Sequence, residues 1–168
     1  MKNNHFAWAS LLCLFLYACN SHKIDPRVGA IEDLPAFNIM STDSVTLIHT
    51  AELTGDHAYV FMYFSPDCEH CQRVTQQFID HRKELDQANV RVYMVTDEPA
   101  RDAAAFVRFY HLNTLTTFFI GTDCNYDFVR AFSPTSTPYI AVYNRERKLR
   151  MVSKGEADVQ EILKSLTD

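Results

Sequence analysis

The sequence predicts an α/β sandwich built on a central mixed β-sheet flanked by helices, and three observations predict it. Tyr59 to Phe64 is a nearly continuous apolar run bounded by polar residues, the pattern of a central strand covered on both faces. Beyond it, stretches of strand character alternate with stretches whose apolar residues recur at helical spacing. Near the carboxyl end, Tyr139 to Tyr143 and Lys148 to Val152 flank the turn Asn144-Arg-Glu-Arg147, a hairpin that makes the sheet mixed.

The elements follow in order. Phe37 to Met40 and Val45 to Ile48 read as a β-hairpin around Ser41-Thr-Asp-Ser44, ahead of the central strand. Ser65-Pro-Asp67 breaks that strand, and Val74, Phe78, Ile79 and Leu85 then form an apolar helical stripe among Gln, Arg, Asp and Lys. Val90 to Val95 is the next strand. Pro99 suits a helix start, and Ala103, Phe106, Val107 and Tyr110 give that helix its buried face. Residues 114–133 carry no legible pattern. A last helix after Gly155 uses Val159, Ile162, Leu163 and Leu166.

With 168 residues the chain supports one domain with a substantial core. A formal net charge of -5 gives no basic footprint for nucleic acid, which is not expected as a partner. No repeat or low-complexity tract is present, which argues against a solenoid or a disordered chain.

The amino terminus reads as an address. Lys2 precedes an uncharged apolar run from Phe6 to Ala18, too short to span a bilayer comfortably. The run ends in Leu16-Tyr17-Ala18-Cys19, which resembles a bacterial lipobox. That resemblance implies removal of residues 1–18 and acylation of Cys19, which would insert in a lipid bilayer. Cleavage removes Lys2 and no acid, taking the formal charge from -5 to -6. Asn20 is not the Asp associated with inner-membrane retention, so a periplasm-facing outer-membrane anchor is favoured. The same residues also fit an ordinary signal peptide or an uncleaved anchor, with Cys19 incidental. Residues 19–35 read as the lipidated cysteine and a polar tether, with the folded domain over 36–168.

Of the five cysteines, Cys68 and Cys71 form a Cys-x-x-Cys between a buried strand and a helix. Cysteines three apart at a helix start share one face, within bridging distance. The unpaired N–H groups of that helix favour the thiolate of the first sulfur, and the thiolate is the attacking species in disulfide exchange. This places Cys68 as attacker and Cys71, one turn in, as resolver. A structural disulfide closing so small a ring would gain little, because loop-closure entropy grows with loop length. Cys68, His70 and Cys71 could ligate zinc or copper, but a closed zinc site needs a further pair at suitable spacing, and only scattered residues such as His111 and Cys124 exist. No metal or cofactor is therefore expected. Cys124 reads as a half-buried inert thiol, with a regulatory or resolving partner as the alternative.

Phe64-Ser-Pro-Asp-Cys68-Glu-His-Cys71-Gln72 resembles the active-site loop of thioredoxin-like proteins, especially the TlpA/ResA-type redoxins of bacterial envelopes. The hairpin at 37–48 resembles the amino-terminal extension of that group, and Thr137-Pro138 followed by Tyr139 to Tyr143 resembles its threonine–cis-proline and strand. The resemblance covers roughly residues 36–166 and implies a thioredoxin-like fold with an N-terminal β-hairpin extension. It further implies a thiol–disulfide oxidoreductase acting on exported proteins, a membrane or periplasmic thiol as electron partner, and substrate held by Thr137 and Pro138. The residue reading alone also admits Pro138 as a trans proline opening an edge strand.

The departures from that group are specific. Its usual tryptophan before the first cysteine is Asp67 here, and its acidic positions around the buried cysteine fall on Met62 and near Val74. Glu69 and Asp67 are candidate replacement acids or solvated carboxylates, and His70 a candidate stabiliser of the Cys68 thiolate or a surface histidine. Two rival functions use the same features: a lipoprotein metallochaperone for copper or zinc, and a non-catalytic envelope scaffold.

Overall fold

A computed structural model describes residues 31–167. The signal segment, Cys19 and residues 20–30 of the expected tether lie outside the described residues. Seven strands form one sheet: β1 (Asn38–Ser41), β2 (Leu47–His49), β3 (Ala58–Tyr63), β4 (Val90–Thr96), β5 (Phe118–Thr122), β6 (Tyr139–Tyr143) and β7 (Leu149–Lys154). Their order across the sheet is β2-β1-β5-β4-β3-β6-β7. β3, β4 and β5 pair in parallel, while β1–β2, β1–β5, β3–β6 and β6–β7 pair antiparallel. The helices are α1 (Glu69–Asp80), α2 (Arg82–Gln87), α3 (Ala100–Phe109), α4 (Asp127–Phe132) and α5 (Val159–Ser165). The predicted mixed sheet flanked by helices is the fold observed.

The central strand explains the two-layer core. Along β3, Val60 and Met62 join one cluster with Val74, Phe78 and Ile162, while Tyr59, Phe61 and Tyr63 join the other with Phe37, Phe128 and Tyr143. Every residue of β3 is buried, as a strand covered on both faces requires. Burying each such large side chain contributes about 1.5–3 kcal/mol before the entropy of ordering is subtracted.

Residues 31–35, expected in the tether, belong to the domain. Ile31 and Leu34 are buried, the Tyr143 hydroxyl donates to the Ile31 carbonyl at 2.9 Å, and Leu34 N–H donates to the Arg147 carbonyl at 2.9 Å. The apolar side chains of Ile31 and Leu34 join the buried cluster that contains Tyr59, Phe61 and Tyr143, and the hydrogen bonds tie the segment to the β6–β7 hairpin.

The predicted amino-terminal hairpin is β1–β2, with Ile39 opposite Ile48. Asp43 Oδ1 accepts the N–H groups of Val45 and Thr46 at 2.8 and 2.9 Å and closes its turn. The hairpin joins the sheet through β5, where Met40 faces Thr122 and Ser41 faces Gly121. A Cβ on Gly121 would collide with the Met40 carbonyl and the Ile39 side chain, so this close approach requires glycine.

The helical stripe after Asp67 divides at His81 into α1 and α2. The segment 114–133, illegible in sequence, holds β5 and α4. Asp123, buried at the end of β5, accepts Asp127 N–H at 2.7 Å and Val129 N–H at 3.2 Å, so its carboxylate satisfies the first turn of α4.

Candidate active site

β3, β4 and β5 run in parallel and end on the same side of the sheet, which brings Ser65, Asp97 and Asp123 to one rim. Ser65 to Asp67 turn the chain from β3 into α1. Cys68 N–H donates to the Ser65 carbonyl at 3.1 Å, and Gln72 Nε2 donates to the Pro66 carbonyl at 2.9 Å, which fixes the loop. Cys68 is the N-cap of α1 in extended backbone geometry, and its sulfur accepts the Cys71 N–H at 3.4 Å. The side chain thus does the capping work usually left to Ser or Asp.

The two thiols sit in unlike surroundings. Cys71 is fully buried in the cluster that contains Met62, Val74 and Phe78. Burial pushes its pKa up to about 12; the Cys68 sulfur beside it adds to the rise, and the Ser65 N–H opposes it. Met62 and Val74, at the positions where the resemblance would have an acid, are buried and apolar, so no carboxylate from them relieves that burial. Cys68 is partly exposed. Burial alone would raise its pKa, but hydrogen bonds from the Cys71 thiol and the Cys71 N–H outweigh that, with help from Thr137 and the His70 N–H. The result is a pKa below the ordinary thiol value. The arrangement therefore holds an accessible sulfur inclined to ionise against a buried one inclined to stay protonated.

Thr137 and Pro138 arrive from the loop before β6. Their peptide bond is cis, and the protonated Cys68 sulfur donates to the Thr137 carbonyl at 3.6 Å. Cys68, Cys71, Thr137 and Pro138 are thus brought together from positions nearly seventy residues apart in the chain.

Glu69 and His70 stand differently. The His70 ring lies 3.7 Å from Glu156, a residue that also pairs with Arg73 at 3.1 Å, and both partners of the histidine contact are well exposed. His70 reaches Cys68 through its backbone N–H rather than its imidazole. Glu69 is an exposed acid in the first turn of α1, where a negative charge suits the helix dipole. Cys124 is exposed rather than half-buried, with its sulfur 3.1 Å from the Thr122 hydroxyl. It sits beyond the end of β5, where the buried side chain is its neighbour Asp123.

Sequence reasoning missed two acids at this rim. Tyr63 is buried at the end of β3, and its hydroxyl pKa is raised first by burial and then by a hydrogen bond to Asp97, with the charges of Asp97 and Asp123 adding to it. Only the parallel pairing of β3, β4 and β5 brings them near one another; a β-strand followed by Asp is too common a pattern to have marked them. Among the described residues, no group of three or more His, Cys, Asp or Glu is placed to hold a metal ion. Among them, too, no helix is long and apolar enough to cross a membrane.

Similar proteins share this architecture. The fold is similar to peroxidoxin BcpB of Mycobacterium tuberculosis (15% identity, TM-score 0.68, 80% of this chain and 94% of that one). It is also similar to StoA of Bacillus subtilis (14% identity, TM-score 0.61, 80% of this chain and 97% of that one). A third likeness is to the exposed lipoprotein thioredoxin Etrx1 of Streptococcus pneumoniae (17% identity, TM-score 0.61, 79% and 98%). At these identities the likeness establishes the thioredoxin-like fold. No curated protein matches the sequence. The sequence pattern of the AhpC/TSA family matches residues 31–152, from the first buried residue of the domain to within β7, and the chain therefore belongs to the AhpC/TSA family.

Proposed function

We propose that this chain is a thiol–disulfide oxidoreductase of TlpA/ResA type that acts on exported proteins through Cys68 and Cys71. One observation carries the reading: the Cys68 sulfur caps α1 with a lowered pKa while Cys71 is buried beside it with a pKa of about 12. In the reductive direction, the Cys68 thiolate attacks one sulfur of a substrate disulfide, and the other substrate sulfur leaves as a thiolate. Cys71 then gives up its proton and attacks Cys68, breaking the mixed disulfide. The products are a Cys68–Cys71 disulfide and a substrate dithiol, with two electrons transferred and the protons taken from the two protein thiols. The oxidative direction is the reverse. Thr137 and the cis Pro138 flank Cys68 where a substrate chain would lie; Glu69 and His70 modulate the pair from the exposed helix start.

The proposal extends to location. Acylated Cys19 anchors the domain in a lipid bilayer of the cell envelope, the outer membrane favoured, facing the periplasm, and a membrane or periplasmic thiol exchanges electrons with it. Similarity to a lipoprotein thioredoxin supports that arrangement.

The family supports a second reading, in which a peroxide is the oxidant. Cys68 would then take an oxygen to become a sulfenic acid, the peroxide leaving as an alcohol or water, and Cys71 would condense with it to the same disulfide, releasing water. The experiment is a titration of the reduced full chain with a disulfide-bonded protein or with hydrogen peroxide, with cysteine connectivity mapped by mass. A reversible Cys68–Cys71 bond formed with the disulfide at the higher rate supports the proposal. Faster formation with peroxide supports the second reading, and a stable bridge from either cysteine to Cys124 contradicts both.

A further inference from the structure

Resting on the oxidoreductase reading above, we infer that the groove between the Cys68 loop and α3 selects substrate segments carrying a cationic side chain next to an apolar one. The groove holds about 500 Å³, room for one or two side chains of a partner. One wall is Pro66 and Asp67, the two residues before Cys68, so the groove opens one residue along the chain from the attacking sulfur, which is not itself part of the lining. The other wall is Glu98, Asp102, Phe109 and Tyr110, from α3 and the residues just before and after it.

The groove is apolar at its base and acidic at its rim. Rings meet in series from the core: Phe64 and Phe106 lie tilted at 5.0 Å, Phe106 and Tyr110 tilted at 4.6 Å, and Tyr110 and Phe109 edge-on at 4.9 Å. Phe109, at the outer end, is 76% exposed. Three carboxylates line the groove, and among the described lining residues none is cationic. Arg101 Nε lies 3.3 Å from Asp102 and offsets part of one charge from outside the lining, which leaves Asp67 and Glu98. An arginine or lysine gains on both counts, laying its stem on the rings and its charge against the carboxylates. An anionic segment meets repulsion at the same rim. The Thr137 carbonyl, 3.6 Å from the Cys68 sulfur, lies outside the groove lining, so a substrate cysteine held at Thr137 leaves its neighbouring residues to reach the groove. The occupant is thus a cysteine-bearing segment of an exported protein with Lys or Arg and an apolar residue beside the cysteine.

The test uses the reduced full chain and synthetic peptide disulfides of equal length, in which the cystine is flanked by Lys-Leu, Glu-Leu or Lys-Ser. Single-turnover rate constants are compared, with 2-hydroxyethyl disulfide, small and neutral, reporting the exchange reaction itself. The Lys-Leu peptide should react roughly tenfold faster than Glu-Leu at low ionic strength, and the ratio should shrink as salt rises. Asp67→Asn with Glu98→Gln should bring that ratio close to one. Phe109→Ala should remove the advantage of Lys-Leu over Lys-Ser. Because each readout is a ratio within one preparation, a loss of folded protein does not alter it. Equal rates for all peptides, or faster reaction of Glu-Leu, in a chain that reduces 2-hydroxyethyl disulfide overturn the groove and leave the redox reading standing. Inertness toward every disulfide overturns the redox reading and this inference with it.

Discussion

The two thiols should differ by orders of magnitude toward an alkylating agent, and the structure sets the size of the difference. Cys68 ionises below the ordinary thiol value of 9.0, while burial holds Cys71 near 12. A gap of at least three units makes the Cys68 thiolate more abundant at pH 7 by at least about a thousandfold, since each unit is tenfold in population. Cys71 is also closed to solvent, so its rate falls further below what its thiolate population allows. The assay is brief treatment of the reduced protein with iodoacetamide at pH 7, with the first label located by peptide mass. Peptide-level mapping is needed because Cys124 is exposed and labels as well. The Cys68 label should rise with pH through a midpoint below 9 and then level off, whereas Cys71 in the Cys68→Ser variant should gain about tenfold per unit well past pH 9. Comparable labelling of Cys68 and Cys71 at pH 7 would refute the assignment of unlike environments, and with it the division into attacker and resolver.

Other outcomes follow from the same geometry. Cys71 is an acid whose folded pKa is raised, so stability is lost as pH climbs above the unfolded value of 9.0. The reduced protein should therefore lose on the order of 1 kcal/mol per unit between pH 9 and 11 relative to the oxidised protein, which lacks that titration, as read by urea unfolding of each form. Asp123→Ala removes the acceptor of two N–H groups at the start of α4 and should cost about 1–2 kcal/mol by the same measurement. Gly121→Ala drives a methyl group into the β1 backbone and should cost about 1–3 kcal/mol, with faster amide exchange along β1. Wild-type protein should partition with membranes and carry acyl mass on Cys19, and Cys19→Ser should lose it; unmodified mature protein in the soluble periplasmic fraction would count against the anchor.

What the sequence disclosed was governed by range. β3 was legible because burial on both faces leaves an unbroken apolar run, and α1 because its stripe recurs locally at Val74 and Phe78. The Cys68–Cys71 spacing and Thr137-Pro138 were legible as short motifs. β5 and α4 were not, because their causes are distant: Gly121 answers to the backbone of Met40, and α4 is a short helix begun by the buried side chain of Asp123. Ile31 and Leu34 are separated only by Glu32-Asp33 in a segment too short to show a period, so the hairpin they are tied to reveals that they belong to the core. The partner of His70 is Glu156, in the loop after β7, and the acids across the groove from Asp67 come from α3 and the loop before it, a proximity no local pattern announces.

The division of labour between the two sulfurs is tested most directly by trapping in the native envelope. Cys71→Ser should accumulate mixed disulfides with exported proteins, because Cys68 still attacks and nothing resolves the product, while Cys68→Ser should trap few or none. Equal trapping by the two variants would contradict the assignment of roles. Trapping by neither, with tight stoichiometric copper or zinc binding by the wild type, would contradict the oxidoreductase and point to a metallochaperone.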